Sequence, residues 1–251
     1  MAKILRNETS LLRRQEAIRR ELAFRQTTRL VVWGTVCLVA AWGLFATIRS
    51  GSFAGLVVAG VAALLGIGYE VHLREIEKEI RNLEGGRRGE SKMADRLAEQ
   101  LADDHVILND LEFKIAHERC QIDHLVVAPS GLYVVESKYW AGTLTGDADA
   151  AQWTQTKAGG IVRRVKSPIQ QCERQRRMFI TLLAAKVPAD RIHAMAVFTH
   201  PGVKLQIANG QGRAFLVRDA IRFINDRCFE PPILTPAEAL SLAERINRDQ
   251  A

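Results

Sequence analysis

Residues 30–69 restrict what this chain can fold into more than any other stretch. From Leu30 to Ile48, nineteen residues carry no charge, and after Arg49-Ser50-Gly51-Ser52 a second uncharged run extends from Phe53 to Tyr69. A nineteen-residue helix is about 28 Å long at about 1.5 Å per residue, close to the hydrocarbon thickness of a bilayer. Two such runs joined by a few polar residues predict two transmembrane helices forming a hairpin. Gly55, Ala59, Ala62, Ala63 and Gly66 supply the small side chains that let helices approach in lipid. A cleaved signal peptide does not fit, because the first run starts late, is too long and is followed by another. The competing reading is a helical pair buried in a soluble core.

Charge orients the hairpin. Arg25 and Arg29 precede it and Arg74 and Lys78 follow it. The positive-inside rule then predicts a multi-pass cell-membrane protein with both termini and the C-terminal domain cytoplasmic. The formal net charge is +7, but residues 1–29 alone hold eight Lys/Arg against three Glu, so the remainder is only mildly basic. Leu11, Leu12, Ile18 and Leu22 lie among these arginines and suit either an amphipathic helix on anionic headgroups or a plain solvated helix. After the hairpin, Leu73, Ile76, Ile80 and Leu83 form a short stripe for a helix over 70–84 that extends from the membrane or pairs with a second copy of the chain. Gly85-Gly86 is expected to end that helix. The layout is thus a basic segment at 1–29, the hairpin at 30–69, a linker helix at 70–84 and a globular domain at 85–251. Cys37, Cys120, Cys172 and Cys228 are far apart, with no C-x-x-C pair to suggest zinc or a disulfide framework.

The globular part alternates helical and strand patterns. Residues 87–103 read as a helix, with Met93, Leu97 and Leu101 on one stripe. Strands are expected at 105–111 (entering a turn), 120–128, 132–140, 160–165, 191–200 and 213–218, with a short segment at 142–146 following the third. Ser167-Pro168 opens a helix to about Lys186, and Thr235-Pro236-Ala237-Glu238 is a capping box for a last helix over 236–248. This order predicts an α/β fold, a central mixed sheet flanked by helices.

Within that sheet, "QIDHLVVAPSGLYVVESK" (121–138) sets Asp123, Glu136 and Lys138 into otherwise apolar strands. Burial of such groups is costly unless they are partnered. Glu136 and Lys138 share a face by strand alternation. If Ala128 and Gly131 bound a four-residue turn, Asp123 lies opposite Glu136. Two opposed carboxylates ask for a cation between them and can hold a divalent metal through oxygen, with Lys138 on the same face to act on a metal-bound water or to neutralise developing phosphate charge. Spacing alone leaves a plain ion pair on a solvated face open.

The stretch resembles the PD-(D/E)xK nuclease superfamily and, within it, the nuclease-related domain known as NERD. The elements that carry the resemblance run in order over about residues 85–185: Gly89-Glu90, Ile107–Leu111, Gln121-Ile122-Asp123-His124, Gly131, Glu136-Ser137-Lys138, Gly142, Trp153, and Pro168 with Gln171. Ile122 replaces the proline that names the superfamily, and Ser167 stands where asparagine is expected before Pro168. The resemblance implies a PD-(D/E)xK-like fold, Asp123 and Glu136 as ligands of Mg²⁺ or Mn²⁺, and Lys138 as the catalytic lysine. It also implies that Glu90 completes the metal site or its water shell and that Gln171 orients Lys138 or a phosphate. From the residues alone, Glu90 can also be read as a helix N-terminal carboxylate and Gln171 as a solvated helix residue. His124 is expected to point to the opposite face in a structural role.

Between Lys157 and Arg177 there are seven Lys/Arg and one acid, Glu173. Arg163, Arg164, Lys166, Arg174 and Arg177 are candidates for guiding a nucleic-acid backbone, although a solvated basic helix or contact with an anionic leaflet accounts equally for the charge. Two functions are thereby in view. One is a membrane-anchored, Mg-dependent nuclease hydrolysing nucleic acid, DNA rather than RNA. The other is a non-catalytic membrane-tethered adaptor with a nuclease-like fold that binds nucleic acid or protein.

Overall fold

A computed structural model describes residues 1–6, 9–115, 118–183 and 186–249. It divides into two units: Ser10–Glu84, and Met1–Thr9 together with Gly85–Ala251.

The first unit is a helical hairpin formed by α1 (Thr9–Ser50) and the part of α2 (Ala54–Gln100) that precedes Gly85. Its turn is built from local capping. Gly51, at φ 67°, donates its N–H to the Thr47 carbonyl at 2.9 Å, the left-handed glycine that commonly ends a helix. The Ser52 hydroxyl accepts the Ala54 N–H at 3.3 Å and starts α2. Gly43 and Gly55 lie so close that a Cβ on either would strike the other's carbonyl oxygen, and Gly66 lies against Trp33 and Val36. At the open end, Glu70 accepts from Arg29 at 2.6 Å and from the Trp33 indole at 3.3 Å. Both helices are long and apolar enough to cross a membrane. Their apolar windows are only 6% and 11% buried, which sets aside a pair buried in a soluble core.

The side chains of Leu11, Leu12, Ile18 and Leu22 lie outside the described residues. Of the later stripe, Leu73 and Ile80 are already buried within the chain, whereas Leu83 is exposed. Contrary to expectation, α2 runs through Gly85-Gly86 without a break. Each glycine inside a helix costs only about 1 kcal/mol, and neither a proline nor a cap reinforces the stop.

The second unit contains, in chain order, β1 (Lys3–Arg6), the end of α2, β2 (Val106–Ile115), β3 (Glu118–Ala128), β4 (Gly131–Lys138), β5 (Gly142–Asp147), β6 (Gln152–Thr156), β7 (Val162–Lys166), α3 (Pro168–Leu183), β8 (Ile192–Phe198), β9 (Val203–Ala208), β10 (Ala214–Leu216), α4 (Val217–Asp226) and α5 (Pro236–Arg248). A six-stranded mixed sheet has the order β1-β2-β3-β4-β8-β10, and a four-stranded sheet the order β7-β6-β5-β9. On one face of the large sheet, Leu108, Leu125 and Val134 pack with Ile169 and Phe179 of α3 and Leu242 of α5. On the other, Ile107, Val126, Tyr133 and Val135 pack with Met93 and Leu97 of α2 and Ile221 and Ile224 of α4. Both faces are covered, which is why the central strands read as nearly continuous apolar runs. The expected α/β fold with helices flanking a mixed sheet is the fold observed.

Several elements depart from the sequence reading. β1 lies in the segment read as helical or solvated; it runs parallel to β2, with Lys3 N–H donating to the His105 carbonyl at 2.9 Å. No turn follows Leu111, because β2 continues to Ile115. β6 and β9 were not expected, and residues 217–226 form a helix where the last residues of a strand were anticipated.

Candidate functional site

The β3–β4 hairpin has the register of a four-residue turn: Ala128 pairs with Gly131, and the regular pairs continue to His124 with Val135. The ladder ends there, and one step further Asp123 lies close enough to Glu136 for the two carboxylates to act on each other. The same place is irregular on the β2 side. Asn109 pairs with His124 and Leu111 with Ile122, but the intervening Asp110 adopts φ 52°, unusual for a residue other than glycine. Leu108 and Leu111, three apart, therefore share one core face, as do Leu125 and Ile122. Asp123 sits at this switch of faces, the kind of strand irregularity that re-aims a side chain beside a functional site.

Each functional side chain is held by specific partners. Asp123 Oδ2 accepts the Ser137 backbone N–H at 2.7 Å. Glu136 is buried; its Oε1 accepts from Lys138 Nζ at 2.5 Å and its Oε2 from Gln175 Nε2 at 2.8 Å. Lys138 Nζ also donates to Gln171 Oε1 at 3.3 Å. Gln171 and Gln175, one turn apart on α3, thus hold the lysine and the glutamate of β4 (i, i+4 neighbours share a helix face). Gln175, buried at 1% exposure, also donates to the Gln121 carbonyl at 3.0 Å, tying α3 to the strand that carries Asp123. The sequence reading named Gln171 and missed Gln175, although its position one turn later was a usable signal.

Glu90 reaches the group because of the residue before it. A Cβ on Gly89 would lie 2.5 Å from Thr199 Oγ1 and 3.0 Å from Tyr139 Cβ, so only glycine lets α2 approach the end of β4 this closely. The electrostatics record the convergence. Burial, then the Glu136 and Glu90 carboxylates, raise the Asp123 pKa well above the ordinary aspartate value, against the opposing pull of the Ser137 N–H and Lys138. Burial works against the Lys138 ammonium, but Glu136 and Asp123 outweigh it and lift its pKa above the usual lysine value, so it is charged at neutral pH. Cys172 lies beside the same groups, and burial followed by Glu136 raises its pKa, keeping it a thiol rather than a nucleophile.

His124 is on the opposite face, fully buried between Asn109 Oδ1 at 2.8 Å and Ser137 Oγ at 3.1 Å. Burial lowers its pKa to about 3, so it stays neutral and serves as a structural bridge. Trp153 is also structural: it is buried against Gly146, and its indole donates to the Asp147 carbonyl at 2.7 Å.

The donor set suits a hard divalent cation. Asp123 and Glu136 offer carboxylate oxygens, the ligands Mg²⁺ and Mn²⁺ favour, and the raised Asp123 pKa marks negative charge that a cation would relieve. Among the described residues, no three His, Cys, Asp or Glu side chains are grouped as a metal cluster, so a bound ion would rely on water for much of its coordination.

From Lys138 a cleft of about 800 Å³ opens between α3 and the second sheet, lined among others by Trp140, Lys166, Ser167, Arg174, Arg177 and Arg213. Three of the five anticipated basic residues therefore lie along it. Arg163 and Arg164 do not line it; they alternate to opposite faces of exposed β7, an edge strand of its sheet. Arg176, in the same basic stretch, is turned to the backbone and donates to the Ile192 and Ala189 carbonyls at 2.6 and 2.7 Å. Arg213 and Trp140 were not anticipated, the first because it lies far along the chain and the second because a single tryptophan carries no pattern.

Comparison with known proteins adds a family. Residues 85–199 match the family model described as "Nuclease-related domain" (NERD). An uncharacterized Bacillus anthracis protein is 36% identical over 92 residues, covering 36% of this chain and 40% of that protein. The probable kinase PglW of Streptomyces coelicolor is 35% identical over 104 residues, covering 40% of this chain and 6% of that protein. The chain thus spans well under two thirds of either relative. No solved structure matches it significantly.

Proposed function

We propose, from a chain that carries a nuclease-related domain at residues 85–199, that it is a membrane-anchored, metal-dependent nuclease hydrolysing nucleic-acid phosphodiesters, DNA rather than RNA. The observation that carries this reading is a single constellation: Asp123, Glu136 and charged Lys138, held by Gln171 and Gln175, at the head of a cleft lined by cations.

Asp123 and Glu136 would hold Mg²⁺ or Mn²⁺, with Glu90 close enough to act on its water shell. When bound, such an ion supplies Lewis acidity toward a phosphodiester and activates water as the nucleophile. The chain's own residues do the rest. Lys138 directs its ammonium at the developing phosphate charge, which counts for more in a half-buried site than in water. Gln171 keeps that ammonium aimed, and Gln175 fixes the Glu136 carboxylate.

The test is cleavage of single- and double-stranded DNA and RNA by the full chain in detergent or nanodiscs, with Mg²⁺, Mn²⁺ or EDTA. Metal-dependent cleavage is expected. Millimolar Mg²⁺ or Mn²⁺ should also raise thermal stability, by roughly 2.7 kcal/mol at a hundredfold excess over Kd, and Asp123→Asn should remove most of that gain. A chain whose melting is indifferent to both ions and that cleaves nothing is instead the tethered adaptor.

The membrane part of the reading rests on the two long apolar helices and on β1. The segment before the hairpin is paired into the same unit as the domain after it, so both sides of the hairpin belong in one compartment. With Arg25, Arg29, Arg74 and Lys78 flanking the outer ends, that compartment is the cytoplasm. Protease added to intact spheroplasts should leave residues 85–251 whole; their digestion would reverse the topology.

A further inference from the structure

Resting on the nuclease reading, we propose that the cleft takes an unpaired nucleic-acid strand, with one base stacked on Trp140 beside the phosphate at Lys138. Trp140 follows Lys138 by two residues, roughly 7 Å along an extended chain, and both line the cleft. The indole is half-buried and braced against Phe198, with ring centroids 5.9 Å apart and planes tilted by 54°. Phe198 is itself fixed as the strand partner of Lys138. Aromatic ring and lysine thus line the cleft two residues apart, a backbone separation on the scale of one nucleotide.

The rest of the wall matches a backbone that passes through. Lys166, Arg174, Arg177 and Arg213 supply positive charge, against Asp149 and Glu173. Two polar groups of the wall have unused capacity. Ser167 is 4% exposed and its Oγ has no hydrogen-bond partner among the described residues, and neither has Arg213 Nε, although Arg213 Nη1 holds Asp149 at 2.6 Å. A charged groove with an aromatic platform is the usual means of holding single strands without sequence preference. In an intact duplex each base is paired and stacked inward, so an aromatic beside the reacting phosphate meets a base only after it has left the stack.

The experiment measures anisotropy of labelled oligothymidylate, oligouridylate and a blunt duplex of matched length. They are titrated with the full chain in nanodiscs containing EDTA, across a range of salt. The wild type should bind at least one of the single strands about tenfold or more tighter than the duplex, and the two single-strand arms identify DNA or RNA as the source. Trp140→Ala should weaken single-strand binding by roughly 5- to 150-fold without changing its salt dependence, because phosphate contacts are retained. Trp140→Phe should keep most of the affinity. Equal affinity for duplex and single strands, an unaffected Trp140→Ala, or a Trp140→Phe as weak as the alanine variant would each overturn the proposal. Lys138-dependent cleavage with no strand preference would remove this inference and keep the nuclease. Single-strand binding through Trp140 with no cleavage under any metal would do the opposite.

Discussion

Lys138→Ala should reduce phosphodiester cleavage by roughly 10²- to 10⁴-fold, the range general acid–base or electrostatic groups supply, while nucleic-acid affinity falls little. Among the described residues, the ammonium is the cation that touches Glu136 and Gln171 directly, at 2.5 and 3.3 Å. Removing it leaves Asp123 and Glu136 in place and frees Glu136 Oε1, so the cation stabilisation of the folded protein should persist or increase. Single-turnover rates at saturating substrate, paired with melting curves with and without Mg²⁺, separate the two effects. Wild-type rates in the alanine variant would show that this lysine neutralises Glu136 and nothing more.

Replacing Lys166, Arg174, Arg177 and Arg213 together by glutamine should have the opposite profile. Each cation withdrawn from a phosphate lowers the salt slope of single-strand binding by roughly 0.7, so the variant should bind more weakly by tenfold or more at low salt. At high salt, where screening has already removed that attraction from the wild type, the two should converge. Saturating substrate should restore much of the rate because the cluster at Lys138 is untouched. The control is Arg163→Gln with Arg164→Gln, whose side chains project from opposite faces of β7 outside the cleft, and it should leave binding near wild type. An unchanged salt slope in the quadruple variant would transfer the basic stretch to another task, such as an anionic membrane surface.

The parts of this site legible in the sequence were those set by local rules. Strand alternation and a four-residue turn are enough to bring Asp123 against Glu136, and Ser167-Pro168 is enough to begin α3. What could not be read depended on distant packing. Asp110 bends β2 because β3 must change faces beside it, and nothing in the dipeptide Asn109-Asp110 announces a positive φ within a strand. Arg213 reaches the cleft only because β9 and β10 return the chain beside the nuclease-related segment. The alternation of Val203, Leu205 and Ile207 and the spacing of Ala220, Ile221 and Ile224 were usable signals for β9 and α4, and the sequence reading passed over both. Gly85-Gly86 misled in the other direction, because glycine weakens a helix without ending one.

β1 has a bearing on how this protein is made and handled. Its four residues precede the hairpin, yet the strand they join lies beyond it. During synthesis the segment must wait, unpaired, while more than forty further residues of α1 and the whole of α2 emerge. Closure of the sheet edge therefore follows synthesis of the hairpin, and a chain stalled before β2 holds β1 with nothing to pair to. The converse holds for a truncated fragment beginning at the glycine pair: it leaves the Val106–Leu108 edge of β2 open, a row of unpaired backbone groups that invites a neighbouring chain. Deleting the helical hairpin to obtain the nuclease-related domain alone removes a strand of that domain's sheet as well, unless the first residues are spliced back onto what remains.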